Sequence, residues 1–359
     1  MQTQSRLEGL DAMRAVAVAA VILFHFGYRG AHHDILQAPL GPAVWPVAKY
    51  GYLGVQLFFV ISGFIIARSA AARSPVGFGL ARLIRIYPAF LFCMTLTALA
   101  TVALGSPRFS VSLPQWAANL AVASPILGQP HVDGAYWSLV YELIFYGWIG
   151  LALAAQVFPR RIAILVAAWL VITVANWHFG SPIVRKLFLT DQSGFFAAGL
   201  MIFEMTRTGR IAASLPLLGA ATAVAVAQSV MGAREVGALY SDTLDPFLVG
   251  GLSVAAVAGV WISLMLKSSA RTRAMLAAMG GCTYPLYLLH QQIGYMALNS
   301  LAPAVPLWTA YGVTVVGLIA GAYAVFRYVE GPAQRRLQRL ASARMDGART
   351  RAPLAQEAV

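Results

Sequence analysis

The sequence contains few charged residues. They make up 11% of its 359 residues, whereas a soluble domain is typically about a quarter charged. Acidic residues are scarcer than basic ones, with 13 Asp and Glu against 26 Lys and Arg, and the formal net charge is +13. This composition excludes an ordinary soluble enzyme. With 59% hydrophobic residues and apolar runs long enough to cross a bilayer, the chain is predicted to be an integral membrane protein.

Cysteine is also scarce, and several familiar catalytic motifs are missing. Only Cys93 and Cys282 are present, each in an apolar run, so the sequence does not indicate a disulfide framework. It has no G-x-S-x-G elbow, no Walker A loop, no H-E-x-x-H and no Cys-x-x-Cys. The adjacent His32 and His33 are expected in a solvated outer loop. We therefore expect no metal site and no permanently bound cofactor.

What the sequence does contain is a set of ten long apolar segments. Their runs are continuous rather than alternating, so they predict an all-α, polytopic membrane helical bundle and not a β-barrel. No internal repeat is visible, which argues against an inverted-repeat transporter. The segments cover residues 11–28, 51–69, 86–104, 137–157, 161–178, 189–206, 211–231, 246–266, 280–299 and 306–328. We expect one membrane domain over residues 1–330, beginning with an uncleaved first helix.

The basic residues predict the orientation of these segments. With a cytoplasmic N-terminus, 19 Lys and Arg fall on the inner side, six on the outer side, and Arg14 inside the first segment. This bias follows the positive-inside rule and predicts that both termini are cytoplasmic. Because the charge lies mainly in short loops, a nucleic-acid partner is not expected. Residues 331–359 are predicted to be a basic, disordered cytoplasmic tail near anionic lipid.

The first apolar segment carries two polar residues on one helical face. Arg14 and His25 are eleven residues apart, which is about 20° beyond three full turns and roughly 16 Å along a helix axis. Ionisable side chains inside a membrane usually face a cavity or the interior of the bundle. The alternatives are a snorkelling anchor for Arg14 and a hydrogen-bonded structural role for His25.

The fourth apolar segment contains a polar stripe. Ser138, Glu142 and Tyr146 recur every four residues, so they share a helical face. If the helix starts near Trp137, Glu142 lies about 8 Å from its outer end, close to the depth of His25. We therefore predict that Glu142 orients His25, whose other ring nitrogen accepts a proton from a hydroxyl. A structural carboxylate tied to a neighbouring helix is the alternative.

Two other segments carry polar residues at helical spacing. Arg82 and Arg85 lie three residues apart at the predicted cytoplasmic border. Paired guanidinium groups suit phosphate or pyrophosphate, although positive-inside anchoring explains the pair as well. In the ninth segment, "CTYPLYLLHQQIGY" places Tyr287 and His290 on one polar stripe, with helix packing as an equal alternative.

Taken in order, these blocks resemble a known family. "LEGLDAMRAVAVAAVILFHF" resembles the opening Arg-x10-His signature of the acyltransferase-3 family of integral membrane O-acyltransferases. "GVQLFFVISGFII", "RLIRIYP", "YWSLVYELIFY" and "TYPLYLLH" resemble its later blocks. The resemblance covers about residues 7–330, and "YWSLVYE" is similar to the bacterial exopolysaccharide branch. The first block departs from the common form at Glu8, Asp11 and Met13.

The resemblance implies transfer of an acyl group, usually acetyl, from cytoplasmic acyl-CoA as donor substrate. The implied acceptor is a hydroxyl of a cell-surface or lipid-linked carbohydrate, and the implied location is the bacterial cytoplasmic (inner) membrane, among its lipids. The expected site comprises His25 and Glu142 for catalysis, Arg14, Arg82 and Arg85 for the donor, and Trp137, Ser138, Tyr146 and His290 for the substrate.

Other functions are compatible with the residues alone. A transporter or flippase for a lipid-linked sugar would also line its path with polar stripes, and a structural subunit of a polysaccharide assembly would use them for packing. The acceptor sugar, its acylated hydroxyl, the acyl chain and the oligomeric state are left open. So is the choice between direct transfer and an acyl-histidine intermediate, since an imidazole serves as base or nucleophile.

Overall fold

A computed structural model of the chain describes residues 8–32, 35–104, 108–266 and 269–351, with the backbone alone for 344–351. These residues form helices, turns and loops, and no β-strand occurs among them, which confirms the all-α prediction. His33 lies outside the described residues. The helices are α1 (Glu8–Gly27), α2 (Trp45–Ala48), α3 (Gly54–Ala71), α4 (Pro75–Leu104), α5 (Leu113–Asn119), α6 (Trp137–Ala154), α7 (Ile162–Phe179), α8 (Pro182–Leu187), α9 (Ser193–Thr208), α10 (Ile211–Tyr240), α11 (Pro246–Ser263), α12 (Ala270–Leu301), α13 (Leu307–Ala324) and α14 (Gly331–Arg351).

Each of the ten predicted segments contains a helix, but eight of them are long and apolar enough, among the described residues, to count as membrane spans. The protein is therefore a multi-pass membrane protein. The two that differ from the prediction are α9 and α12. Helix α9 has only 16 residues, and α12 carries His290, Gln291 and Gln292 in its middle. A short helix and a polar helix need shielding from lipid, and both have extensive buried surfaces.

Helix α9 lies at the centre of one half of the bundle, against α3, α7 and α10. Twelve of its 16 residues are buried. Its contact with α3 is a backbone contact, because a Cβ at Gly63 would collide with the Phe196 carbonyl oxygen and one at Gly199 with the Val60 carbonyl oxygen. Small residues at a helix interface permit this close approach in a membrane protein.

The other half of the bundle is organised around α12. This helix packs against α1, α4 and α13, and it contains Pro285 in its interior. Helices α1 and α6 each pack on α3. The four helices that carry the predicted polar residues, α1, α4, α6 and α12, are therefore neighbours in one part of the bundle.

The C-terminal segment differs from its prediction. Helix α13 continues through a π-helical turn (Val325–Glu330) directly into α14, so Gly331–Arg351 is helical where we expected a disordered tail. Gln334 ties the start of α14 to α4 by donating to the Arg85 carbonyl oxygen at 3.2 Å. This contact holds the start of α14 against α4. Residues 352–359 of the predicted tail lie outside the described residues.

Candidate active site

The N-terminal half of α1 borders a cavity lined by arginines. It consists of two pockets that share Arg14, Ile65, Arg82 and Arg85 on their walls. The pocket nearer the N-terminus of α1, of about 480 Å³, is called the outer pocket, and the other, of about 200 Å³, the inner pocket; these names do not refer to the sides of the membrane. We call the two together the arginine cavity. Its outer pocket is lined by five arginines against two carboxylates: Arg14, Arg68, Arg73, Arg82 and Arg85, and Asp11 and Glu330. The excess of positive charge suits an anionic ligand.

Two arginines of α4 are held in place by neighbouring groups. Arg82 donates to the Ser69 hydroxyl at 2.9 Å, and its guanidinium lies 5.7 Å from the centre of the Tyr146 ring. Arg85 forms an ion pair with the buried Glu330 and lies 5.3 Å from the centre of the Tyr284 ring. Such anchoring fixes the guanidinium planes toward the cavity, so the two residues do share the predicted face.

The polar stripe of α6 lines the inner pocket. Glu142 accepts hydrogen bonds from the Tyr146 hydroxyl at 2.7 Å and from the Ser62 hydroxyl of α3 at 3.2 Å. Ser138, one turn earlier, shares a 2.7 Å hydrogen bond with the Tyr287 hydroxyl of α12. All three stripe residues lie on the wall of this pocket, together with the arginines. The predicted common face of Ser138, Glu142 and Tyr146 is confirmed.

The C-terminal end of α1 borders a second cavity, of about 650 Å³. His25 lies on its wall, 8% exposed, and Trp137 of α6 lies on the same cavity. We call it the histidine cavity. The rest of the wall comes from the start of α3 and the turn before it, the ends of α7 and α10, α8, and the start of α9 with the residues before it. Val55 lines both this cavity and the inner arginine pocket, so one side chain belongs to both walls.

The hydrogen bonds of His25 indicate which of its ring nitrogens carries a hydrogen. Its Nδ1 lies 2.8 Å from the Val21 carbonyl oxygen and 3.2 Å from Nε2 of His290. Nδ1 of His290 lies 2.8 Å from the Tyr287 carbonyl oxygen. Because a carbonyl oxygen only accepts, both Nδ1 atoms carry hydrogen, and Nε2 of neutral His290 accepts from His25. Nε2 of His25 is therefore the unprotonated nitrogen, and the Gln291 side chain is a further hydrogen-bond partner of the ring.

The predicted pair of His25 and Glu142 is not formed among the described residues. His25 bonds to Val21 and His290 and lines the histidine cavity, whereas Glu142 bonds to Ser62 and Tyr146 and lines the inner arginine pocket. Similar depth along two helices does not bring their side chains together when both helices pack on a third. His290 takes the place beside His25 that we had predicted for Glu142, and it is fully buried.

A buried loop residue, Asp133, was not predicted from the sequence and helps to hold α12 in place near His290. Asp133 precedes α6, is buried, and accepts hydrogen bonds from the backbone N–H groups of Ala135 and Gln292, both at 2.8 Å. Tyr136 donates to the Leu288 carbonyl oxygen at 3.1 Å. These contacts fix α12 on both sides of His290. Burial raises the pKa of Asp133 to about 6, although the backbone hydrogen bonds oppose the shift. An Asp just before a helix is a capping signal, which was the available clue.

Comparison with known proteins shows which family the chain is similar to. The profile of the acyltransferase-3 family, described as an acyltransferase domain, matches residues 7–327. BcsY of Komagataeibacter xylinus, named as a membrane-bound transacylase, is 27% identical over 340 residues, which cover 88% of this chain and 79% of BcsY. The exopolysaccharide production protein ExoZ of Rhizobium meliloti is 28% identical, covering 88% and 95%. The acyltransferase MdmB of Streptomyces mycarofaciens is 25% identical, covering 93% of each chain.

No solved structure matches the chain. The family match nevertheless extends over most of its length and includes the histidine cavity, the His25–His290 pair and all of the arginine cavity except Glu330 and Gln334. The chain therefore belongs to the acyltransferase-3 family, and it is a multi-pass membrane acyltransferase.

Proposed function

We propose that this enzyme transfers an acyl group, acetyl by default, from acyl-CoA to a hydroxyl of a cell-surface or lipid-linked carbohydrate. The observation that carries the proposal is the pair of chemically different cavities at opposite ends of α1. One has an excess of arginines, the other contains an unprotonated imidazole nitrogen, and Val55 lines both. A transferase with a polyanionic donor and an uncharged nucleophile requires two such environments.

The arginine cavity suits the donor. Coenzyme A carries a pyrophosphate and a ribose phosphate, which planar guanidinium groups bind through paired hydrogen bonds. In this proposal Arg14, Arg82 and Arg85 hold the phosphates, while the thioester end extends along the inner pocket past Ser138, Glu142 and Tyr146. The positive-inside bias supports a cytoplasmic position for this cavity and for both termini, in the inner membrane of a bacterium.

The histidine cavity suits the acceptor. Nε2 of His25 takes the proton from an acceptor hydroxyl while that oxygen attacks the thioester carbonyl carbon. The C–S bond then breaks, and the thiolate of coenzyme A recovers the proton from His25. His290 accepts a hydrogen bond from Nδ1 of His25, so it stabilises the imidazolium that forms in between. The exopolysaccharide role in the name of ExoZ supports a carbohydrate acceptor.

The test uses purified protein in sealed vesicles with labelled acetyl-CoA and the deacylated surface glycan of the source cells. We expect label on the glycan with the wild-type protein. His25→Ala should reduce transfer by about 10²- to 10⁴-fold, the usual contribution of general acid–base catalysis. His178→Ala is the matched control, because His178 is an exposed residue of α7 that lines neither cavity.

Two outcomes would contradict the proposal. Normal acyl transfer by His25→Ala would show that His25 is not the catalytic base. Movement of glycan across the vesicle membrane without acetyl-CoA, and without label on the glycan, would instead support the transporter alternative. Label retained on His25 in the absence of glycan would show the acyl-histidine form of the same reaction.

A further inference from the structure

Three buried polar atoms without hydrogen-bond partners lie at one end of the histidine cavity. They are Nε of Arg29, the hydroxyl of Tyr52 and Oε1 of Gln56. All three residues line that cavity. Buried polar atoms in native proteins nearly always have a partner, and leaving one unpaired lowers stability. A cluster of three on one wall is therefore best explained by a ligand that supplies the missing hydrogen bonds.

The three side chains line the same cavity as His25. Arg29 follows His25 by four residues, just past the end of α1. Tyr52 and Gln56 are also four residues apart, at the start of α3, and the Tyr52 ring lies edge-on to Phe24 at 5.8 Å. Two pairs with this spacing face the cavity from adjacent elements. Any group bound to them lies in the same cavity as His25.

The chemistry of the three atoms selects the ligand. An arginine N–H only donates, a glutamine carbonyl only accepts, and a tyrosine hydroxyl does both. A hydroxyl also donates and accepts, so adjacent hydroxyls on one ring satisfy all three. A carboxylate or a phosphodiester does not fit as well, because neither group carries a hydrogen that it could donate to the glutamine oxygen.

The charge of the cavity wall agrees with an uncharged ligand. Two cationic residues, Arg29 and Arg185, face two anionic ones, Asp191 and Glu235. This balance contrasts with the arginine excess of the donor side. The volume of about 650 Å³ falls within the usual range for small-molecule sites, roughly 300–1,000 Å³.

We propose that Arg29, Tyr52 and Gln56 form the acceptor subsite, which binds an uncharged sugar ring through adjacent hydroxyls and presents one of them to His25. The assignment rests on the proposed function, and it adds the residues that recognise the acceptor and the charge of the group they accept. Trp137, on the same cavity, offers an apolar ring against which a sugar ring packs.

The test measures equilibrium binding of two radiolabelled probes to the full chain in nanodiscs: p-nitrophenyl β-glucoside, which is neutral, and p-nitrophenyl β-glucuronide, which is anionic. We expect the wild-type protein to bind the glucoside more tightly. Tyr52→Phe and Gln56→Met should each weaken glucoside binding about 10-fold, the loss expected when one hydrogen bond to a buried group is removed. Binding of acetyl-CoA should not change.

The structure supplies a matched control. Tyr50 is two residues from Tyr52, but its hydroxyl accepts a hydrogen bond from the Asp245 backbone N–H at 3.0 Å, and it does not line the cavity. Tyr50→Phe should therefore lower thermal stability and leave glucoside binding unchanged. Tyr52→Phe should do the reverse, because its hydroxyl has no partner to lose in the free protein.

Several results would overturn the subsite. These are absence of glucoside binding, preference for the glucuronide, and unchanged binding by Tyr52→Phe and Gln56→Met. The proposed function is judged separately, by transfer of label to the deacylated glycan. Transfer with unaltered acceptor KM in both variants would leave the enzyme assignment standing and remove the subsite.

Discussion

The two cavities differ in charge. In the arginine cavity positive charge is in excess; Arg85 pairs with Glu330 and Arg82 bonds to Ser69, and one buried atom of each of Arg82 and Glu330 lacks a partner. In the histidine cavity the charges balance, and three buried polar atoms lack partners. The first is arranged around fixed charge, and the second around hydrogen-bonding groups on a wall of balanced charge. The comparison shows that one helix, α1, contributes to two environments whose chemistry is set by the helices around it.

After His25, the largest effect is expected from His290, which lies behind the histidine cavity. His290→Phe removes the acceptor for Nδ1 of His25, and we expect kcat to fall about 10- to 100-fold, as for groups that orient a histidine at a metal. His290→Gln should restore part of the activity, because a side-chain carbonyl also accepts this hydrogen bond. KM for acetyl-CoA should not change in either variant. An equal loss of kcat in both variants would show that His290 contributes only to packing.

A smaller effect, confined to the donor, is expected from the arginine cavity. Arg82→Gln removes a guanidinium while keeping a polar side chain, and we expect KM for acetyl-CoA to rise about 10-fold, since hydrogen bonds to charged groups contribute about 1.5–3 kcal/mol. Arg85 is tested together with its partner, as Arg85→Gln with Glu330→Gln, so that no carboxylate is left buried alone. Arg207→Gln is the control, since Arg207 pairs with Glu204 away from both cavities. Equal KM increases in Arg82→Gln and Arg207→Gln would mean that general surface charge, not this cavity, attracts the donor.

A substitution of Glu142 tests whether this residue of the arginine cavity acts on His25 in the histidine cavity. Glu142→Gln retains a carbonyl oxygen for Tyr146 and Ser62, so we expect less than about a 10-fold change in kcat/KM. The pH dependence of transfer should keep its shape, because Glu142 does not bond to His25. A loss comparable to that of His25→Ala, with an altered pH profile, would restore Glu142 as the direct partner of His25.

The smallest effect concerns stability and comes from Asp133. Its pKa is about 6 in the folded protein and about 4 in an unfolded chain, so the folded state binds the proton first as the pH falls. Stability should therefore increase between pH 7 and pH 4 by about 1 to 3 kcal/mol from this group. Asp133→Asn should flatten that dependence in thermal unfolding, whereas Asp245→Asn, at an exposed cap, controls for the lost charge. An unchanged slope in Asp133→Asn would contradict the raised pKa.

Much of the site followed from helical spacing. Arg14 and His25 lie on cavities at opposite ends of α1, and the stripe from Ser138 to Tyr146 faces one pocket. Spacing fixes the face and depth of a residue on its own helix. It does not fix the rotation of that helix relative to a neighbour, and for this reason Glu142 was paired with the wrong side chain.

The proposed acceptor subsite was not predicted from the sequence, for a different reason. Arg29, Tyr52 and Gln56 lie at helix ends, where polar residues need no explanation beyond the membrane interface. Only the packing of α1 against α3 shows that their polar atoms are buried and unpaired. Asp133 was missed because its second partner, the Gln292 backbone N–H, is 159 residues away in sequence.

The backbone contact between Gly63 and Gly199 limits how the protein moves. With no side chain between α3 and α9, neither helix can slide or rotate past the other without driving a carbonyl oxygen into the neighbouring backbone. Helix α3 also carries Val55 and Ser62, which line the cavities. The part of the cavity walls that α3 provides is therefore held in a fixed position relative to α9.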